Sequence, residues 1–250
     1  MPHEIISVRT PDGTCRTHYF ETEASGTSPG VIFYMDGNGL RAALFEMAER
    51  ISSHGYRVAM PDLYYRSGFT LKEGQDLFAD PALLTQWKTH VVPTITNATI
   101  MRDVPALLAL LDARANGDGQ PIGTTGYCLG GRLSLTTAGT FPDRVVAAAS
   151  YHGGGLATDA PDSPHRLAPQ MKGVVYVGGA IEDSGFDDAQ KQRLTRALTE
   201  ARVEHIIETY DARHGWVPAD TPTHDPVAAE RHWQTLFDLF EDTLKAGDHS

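Results

Sequence analysis

At 250 residues the chain is long enough for a sizeable hydrophobic core, and 41% hydrophobic against 21% charged residues excludes a disordered polymer. The formal charge of −11, from 32 acidic against 21 basic residues, argues against nucleic acid or an anionic membrane as partner. The two cysteines, Cys15 and Cys128, are too few for a disulfide framework and point to a reducing, cytoplasmic setting.

Residues 4–8 and 17–20 flank Pro11-Asp12-Gly13, a hairpin signal. A loop over 26–30 leads to VIFYM at 31–35, the short apolar run of a buried parallel strand. Asp36-Gly37-Asn38-Gly39 breaks it, and 40–53 has helical spacing with Leu44, Met47, Ala48 and Ile51 on one face. A strand over 57–60 stops at Pro61-Asp62. The segment 63–93 carries Tyr64, Tyr65, Phe69, Phe78 and Trp87 between glycines and prolines; it is expected to be loop with a short helix near 81–89, walling a pocket. A helix is expected over 96–116, with Ile100, Val104, Leu107, Leu108 and Leu111 as its apolar stripe and Pro105 as a possible kink. Further strands are read at 145–150, 174–177 (ended by Gly178-Gly179) and 205–210, and helices at 132–140, 186–201 and 227–245. Strands alternating with helices after an initial antiparallel hairpin imply one α/β domain over 1–250, a mostly parallel sheet with helices on both faces. The N-terminus lacks a basic region followed by an apolar run, and no stretch approaches the ~20 apolar residues of a membrane span.

The stretch IGTTGYCLGGRLSL at 122–135 organises the rest. A β-prone run reaches Gly126, Cys128 follows two residues later, and Gly130-Gly131 precede a helix-compatible segment. This is the grammar of a nucleophile elbow, G-x-C-x-G-G, with cysteine in the nucleophile position. Small residues keep neighbouring chain clear of a tight strand-to-helix turn, and the helix N-terminus favours a thiolate.

Ligands of parallel sheets sit beyond the carboxyl ends of the strands. Reactive residues follow strands at Asp36, Cys128, the acids around Asp183, and His214. The order Cys128, Asp183, His214 is the nucleophile–acid–histidine order of the α/β-hydrolases. His214 would move the proton and Asp183 would orient its ring, with Glu182 one residue away as a competing acid. His152 also follows a strand and is read as a pocket-wall residue. The oxyanion donors expected are the N–H groups of Leu129 and Gly37.

FYMDGNG at 33–39, MPDLYYR at 60–66, GYCLGG at 126–131, GAIED at 179–183 and RHGW at 213–216 together resemble the dienelactone hydrolase family, cysteine α/β-hydrolases. The resemblance implies an α/β-hydrolase fold and hydrolysis of a small ester or lactone through a Cys128 thioester, without metal or organic cofactor. Family members carry a thiol-contacting glutamate where this chain has the shorter Asp36. They also hold a carboxylated lactone with arginines, one of them shortly after the histidine. Here Gly215, Trp216, Val217 and Pro218 follow His214. Arg66 and Arg213 are the available substitutes, and Trp216 points to a more apolar site. The partner expected is a small molecule, bound by a monomer or small homo-oligomer. The alternatives are a non-catalytic ligand-binding or sensing protein on the same scaffold, and an acyl transferase or peptidase using the same thioester.

Overall fold

The structure is a computed structural model and describes residues 3–21, 28–72, 74–115 and 117–245. Part of the loop expected at 26–30, and Asn116 at the expected helix end, lie outside the described residues.

Eight strands form one sheet, in the order β1-β2-β4-β3-β5-β6-β7-β8. β1 (His3–Thr10) and β2 (Gly13–Phe20) make an antiparallel hairpin closed by Pro11-Asp12, with Thr10 opposite Gly13. Gly13 turns back at φ +143°, a region open to glycine. β2 then pairs antiparallel with β4 (Arg57–Pro61). From β4 the sheet is parallel through β3 (Gly30–Tyr34), β5 (Ile122–Tyr127), β6 (Val145–Tyr151), β7 (Val174–Gly179) and β8 (His205–Thr209). β3, β4 and β5 are buried along their whole length, which explains their unbroken apolar or small-residue runs.

Adjacent residues of β5 face opposite sides of the sheet and meet different helices. A side chain at Gly123 would strike Phe240 of α6 (Pro226–Phe240), whereas Thr124 shares a 2.8 Å hydrogen bond with Ser134 of α4 (Leu129–Thr140). α1 (Ala42–Ser53) packs on α6, with Arg50 over Trp233 and His54 stacked on Phe237. α3 (Asn97–Ala115) packs on α4. This is the expected α/β-hydrolase architecture. The stripes expected on α1 and α3 are the faces they bury. No helix among the described residues is long and apolar enough to cross a membrane.

Boundaries differ from expectation where glycine or proline misleads. α4 begins at Leu129, so Gly130 and Gly131 are helical despite poor propensity. A Cβ on Gly130 would lie 2.4 Å from the Tyr34 carbonyl oxygen, so packing against β3 requires the glycine. β7 continues through Gly178-Gly179, which pair with Glu208 and Thr209 of β8, while the rings of Tyr210 and Tyr151 fill the space a side chain at 178 would take. The helix expected near 81–89 is α2 (Pro81–Gln86) running into a π-helical turn over Trp87–Val91. α3 continues through Pro105, and a 3-10 helix over Pro164–Gln170 was not anticipated. α5 (Asp188–Glu200) starts later than expected, its N-terminus capped by Asp187 accepting the Gln190 N–H at 2.9 Å.

Candidate active site

Four strand ends meet around one cavity of about 400 Å³. Its lining includes Asp36 after β3, Cys128 after β5, His152 after β6 and His214 after β8. Asp76, Phe78 and Ala79 of the aromatic-rich segment line it too, as do Thr221, Pro222 and Thr223.

Cys128 occupies the elbow between β5 and α4 at φ 56°, ψ −118°, outside the comfortable region for an L-residue. Its N–H donates to Tyr151 O at 3.2 Å and to His152 Nδ1 at 3.1 Å, which ties the turn to the end of β6. A Cβ on Gly126 would sit 2.0 Å from Gly130 O, so the turn closes only with glycine there. The sulfur is half-buried and unpaired, and Cys15 is buried elsewhere. Leu129 opens α4, where an amide has no intrahelical acceptor. Gly37 lies under the Phe78 ring, and its carbonyl accepts from the Tyr64 hydroxyl at 2.6 Å.

His214 Nδ1 donates to Asp183 Oδ2 at 2.8 Å, and the same ring lines the cavity with Cys128. With Nδ1 committed to Asp183, Nε2 is the nitrogen available to sulfur. Asp183 Oδ1 accepts the Gly185 N–H at 2.8 Å, so both carboxylate oxygens are fixed. Burial disfavours charge on His214, but the bond to Asp183 and the attraction of Cys128 outweigh it and raise its pKa to about 10. Burial likewise opposes the Asp183 charge, yet His214 and the Gly185 amide hold its carboxyl below the usual range. Gly215, at φ +92°, lets the chain turn after the histidine, and Thr223 Oγ1 donates to His214 O at 2.7 Å. The competing acid Glu182 points outward to exposed Arg213 at 3.3 Å.

His152 is fully buried at φ 40°. Burial, then the charges of His214 and His232, depress its pKa well below the ordinary range. Because Nδ1 accepts the Cys128 amide, its proton sits on Nε2 and the ring is a neutral wall.

The remaining candidates separate. Asp36 lines the cavity, but both its oxygens are held by Arg41, at 2.6 and 2.9 Å, so its carboxylate is committed to a guanidinium rather than to the thiol. Arg66 is not at the cavity. It stacks on Tyr65 and bonds Asp103 at 2.6 Å and Asp12 at 2.9 Å, fastening the hairpin turn to α3, since a half-buried cation needs carboxylates. Arg213 is a surface ion-pair partner of Glu182 rather than a pocket residue. Trp216 is fully buried, stacked on Tyr210 and edge-on to His152, and supports that wall from behind.

Sequence reasoning missed Arg41, which bonds Asp36 on one side and Asp220 at 2.6 and 3.0 Å on the other. It ties the strand end to the loop after His214. Nothing local signals a pairing across 179 positions. Asp76 was also missed, although its neighbour Phe78 stood among the aromatics of the expected wall.

The dienelactone hydrolase family model matches residues 16–244. A Synechocystis protein provisionally named a carboxymethylenebutenolidase is 28% identical over 232 residues, covering 90% of each chain. The carboxymethylenebutenolidase of Rhodococcus opacus is 25% identical, covering 96% of this chain and 91% of its own. A crystal structure from Klebsiella pneumoniae, provisionally described as a dienelactone hydrolase, superposes with a TM-score of 0.83 at 22% identity over 96% of this chain and 98% of that one. That structural likeness carries the fold, while the family match runs from β2 into the last turn after α6: the chain belongs to the dienelactone hydrolase family.

Proposed function

We propose that the protein hydrolyses a small carboxylic ester or lactone through a thioester on Cys128. The observation that carries this reading is the His214 ring, bonded to Asp183 at 2.8 Å and lining one cavity with the cysteine of the strained elbow. His214 Nε2 takes the thiol proton as sulfur attacks the carbonyl carbon. The carbonyl π electrons move onto oxygen, where the N–H groups of Leu129 and Gly37 are the proposed donors. The tetrahedral adduct collapses, the C–O bond to the alcohol breaks, and the imidazolium returns its proton to that oxygen. In a lactone the alcohol stays attached to the acyl group. Water then attacks the thioester, giving its proton to Nε2. Collapse of the second adduct breaks the C–S bond, and the thiol is reprotonated as the acid leaves. Asp183 stabilises the imidazolium in both halves.

Turnover of p-nitrophenyl acetate tests this. Cys128→Ala should abolish it, and intact-mass spectrometry of wild type quenched during turnover should show one acyl group, on the Cys128 peptide. Equal turnover in Cys128→Ala and wild type would overturn the reading.

A further inference from the structure

The charges around the cavity carry an inference about substrate class, which rests on the hydrolase reading above. The fixed charges on the lining are the carboxylates of Asp36 and Asp76. The guanidinium beside them, Arg41, has five N–H donors, and all five are used. Nε bonds Asp220, one terminal nitrogen bonds Asp36 and the Gly39 carbonyl, and the other bonds Asp36 and Asp220. No donor on Arg41 is left for a substrate anion. Two carboxylates also share this one cation, so the cluster keeps a net negative charge. Asp76 adds a second; among the described residues its carboxylate accepts only the Phe78 N–H, at 2.9 Å. His214 is matched by the Asp183 carboxylate at 2.8 Å, so its charge is already compensated. The two arginines expected as substitutes are spent elsewhere, Arg66 on Asp12 and Asp103 and Arg213 on Glu182.

Beside these charges the cavity offers apolar surface. Phe78 lines it while 53% exposed, which is unusual for a phenylalanine. Its ring lies against Gly37, where a Cβ would come within 2.8 Å of it, so it borders the loop expected to hold the developing oxyanion. The Leu77 N–H bonds Asn38 Oδ1 at 3.0 Å and pins the segment to that loop. Ala79 and Pro222 extend the apolar surface.

We propose that this site selects uncharged esters with an alkyl or aryl face, seated against Phe78, and rejects carboxylate-bearing ones. Asp76 and the carboxylate pair bridged by Arg41 are the specificity determinants. A substrate carboxylate brought roughly 7 Å from one uncompensated carboxylate, at an effective dielectric of about 40, is disfavoured by about tenfold. The relatives' name, carboxymethylenebutenolidase, contains a carboxymethyl group; this chain has turned away from such a substrate.

The test compares p-nitrophenyl hexanoate with the mono-p-nitrophenyl ester of adipic acid, equal in carbon count and differing by one carboxylate. Rates are corrected for spontaneous hydrolysis and for the Cys128→Ala blank. We expect kcat/KM at least about tenfold higher for the hexanoate at low ionic strength, narrowing as salt screens the charges. Asp76→Asn should narrow the ratio and Asp76→Lys should narrow it further. The wild-type salt dependence gives an answer even if a variant fails to fold. Cys128-dependent turnover that is equal for the two esters, or faster for the adipate, overturns the charge selection while leaving the hydrolase reading standing. Turnover of both esters that survives in Cys128→Ala overturns the hydrolase reading instead.

Discussion

Replacing Asp183 by asparagine should damage turnover more than loss of one charge predicts, and the structure says why. The charge-assisted bond from His214 Nδ1 at 2.8 Å is worth about 1.5–3 kcal/mol. At about 1.36 kcal/mol per tenfold in rate, losing it costs roughly 10- to 150-fold. The second carboxylate oxygen, however, accepts the Gly185 N–H at 2.8 Å. An asparagine at 183 keeps that bond only by placing its carbonyl oxygen toward Gly185 and its NH₂ toward His214. Nδ1 must then accept, the proton moves to Nε2, and the ring presents N–H to sulfur where a base is required. In a Ser-His-Asp triad the same inversion costs about 10⁴ in kcat. We therefore expect Asp183→Asn to lose about 10³–10⁴ in kcat/KM at neutral pH, and Asp183→Ala, which leaves the tautomer free, to lose less. Stopped-flow acylation with an activated ester measures both. If Asp183→Asn keeps more than about a tenth of wild-type activity, or outperforms Asp183→Ala, the tautomer argument is wrong.

Two further outcomes follow from the ion pairs. His214 is raised from its ordinary value to about 10, so its contribution to stability is complete below about pH 6.5 and is lost as pH climbs through 10. The melting temperature of wild type relative to His214→Asn should accordingly fall between pH 6.5 and 10; a constant difference would contradict the assignment. Arg41→Ala leaves the Asp36 carboxylate, 5% exposed, without its cation, and should cost about 3 kcal/mol in urea unfolding by the usual penalty for breaking a buried pair. A loss below about 1 kcal/mol would mean that solvent replaces the guanidinium there.

Much of the fold was legible because its signals are local. VIFYM reads as a buried strand from composition alone, and β3 is buried at every residue. The elbow was legible because its geometry forces residue types: only glycine fits beside Gly130 O and Tyr34 O. Roles that depend on distant partners were not. Arg66 and Arg41 look alike in sequence, yet one fastens a hairpin to a helix and the other bridges two carboxylates at the cavity. Asp36 could be placed after β3 but not assigned a partner, because its cation reaches it from the start of α1. Trp216 was read as pocket surface because it follows the histidine. The turn at Gly215 instead sends it inward onto Tyr210.

The register between Glu182 and Asp183 shows how the sheet itself assembles the site. Among the described residues the non-glycine positions with left-handed φ are Cys128 (56°), His152 (40°), Glu182 (52°) and Arg202 (60°). The first three lie within three residues of the carboxyl ends of β5, β6 and β7. Each such residue costs about 1–3 kcal/mol and persists only where its surroundings over-determine it. Here the neighbouring strand end does so each time. The Cys128 amide bonds Tyr151 O and His152 Nδ1, the His152 amide bonds Gly178 O at 2.8 Å, and the Ile181 amide bonds Ala212 O at 3.0 Å. The left-handed turn at Glu182 sends that side chain out to Arg213, and the next residue, Asp183, faces His214. A one-residue insertion between β7 and Glu182 would therefore put Glu182 in the position that faces His214 and carry Asp183 one residue past it.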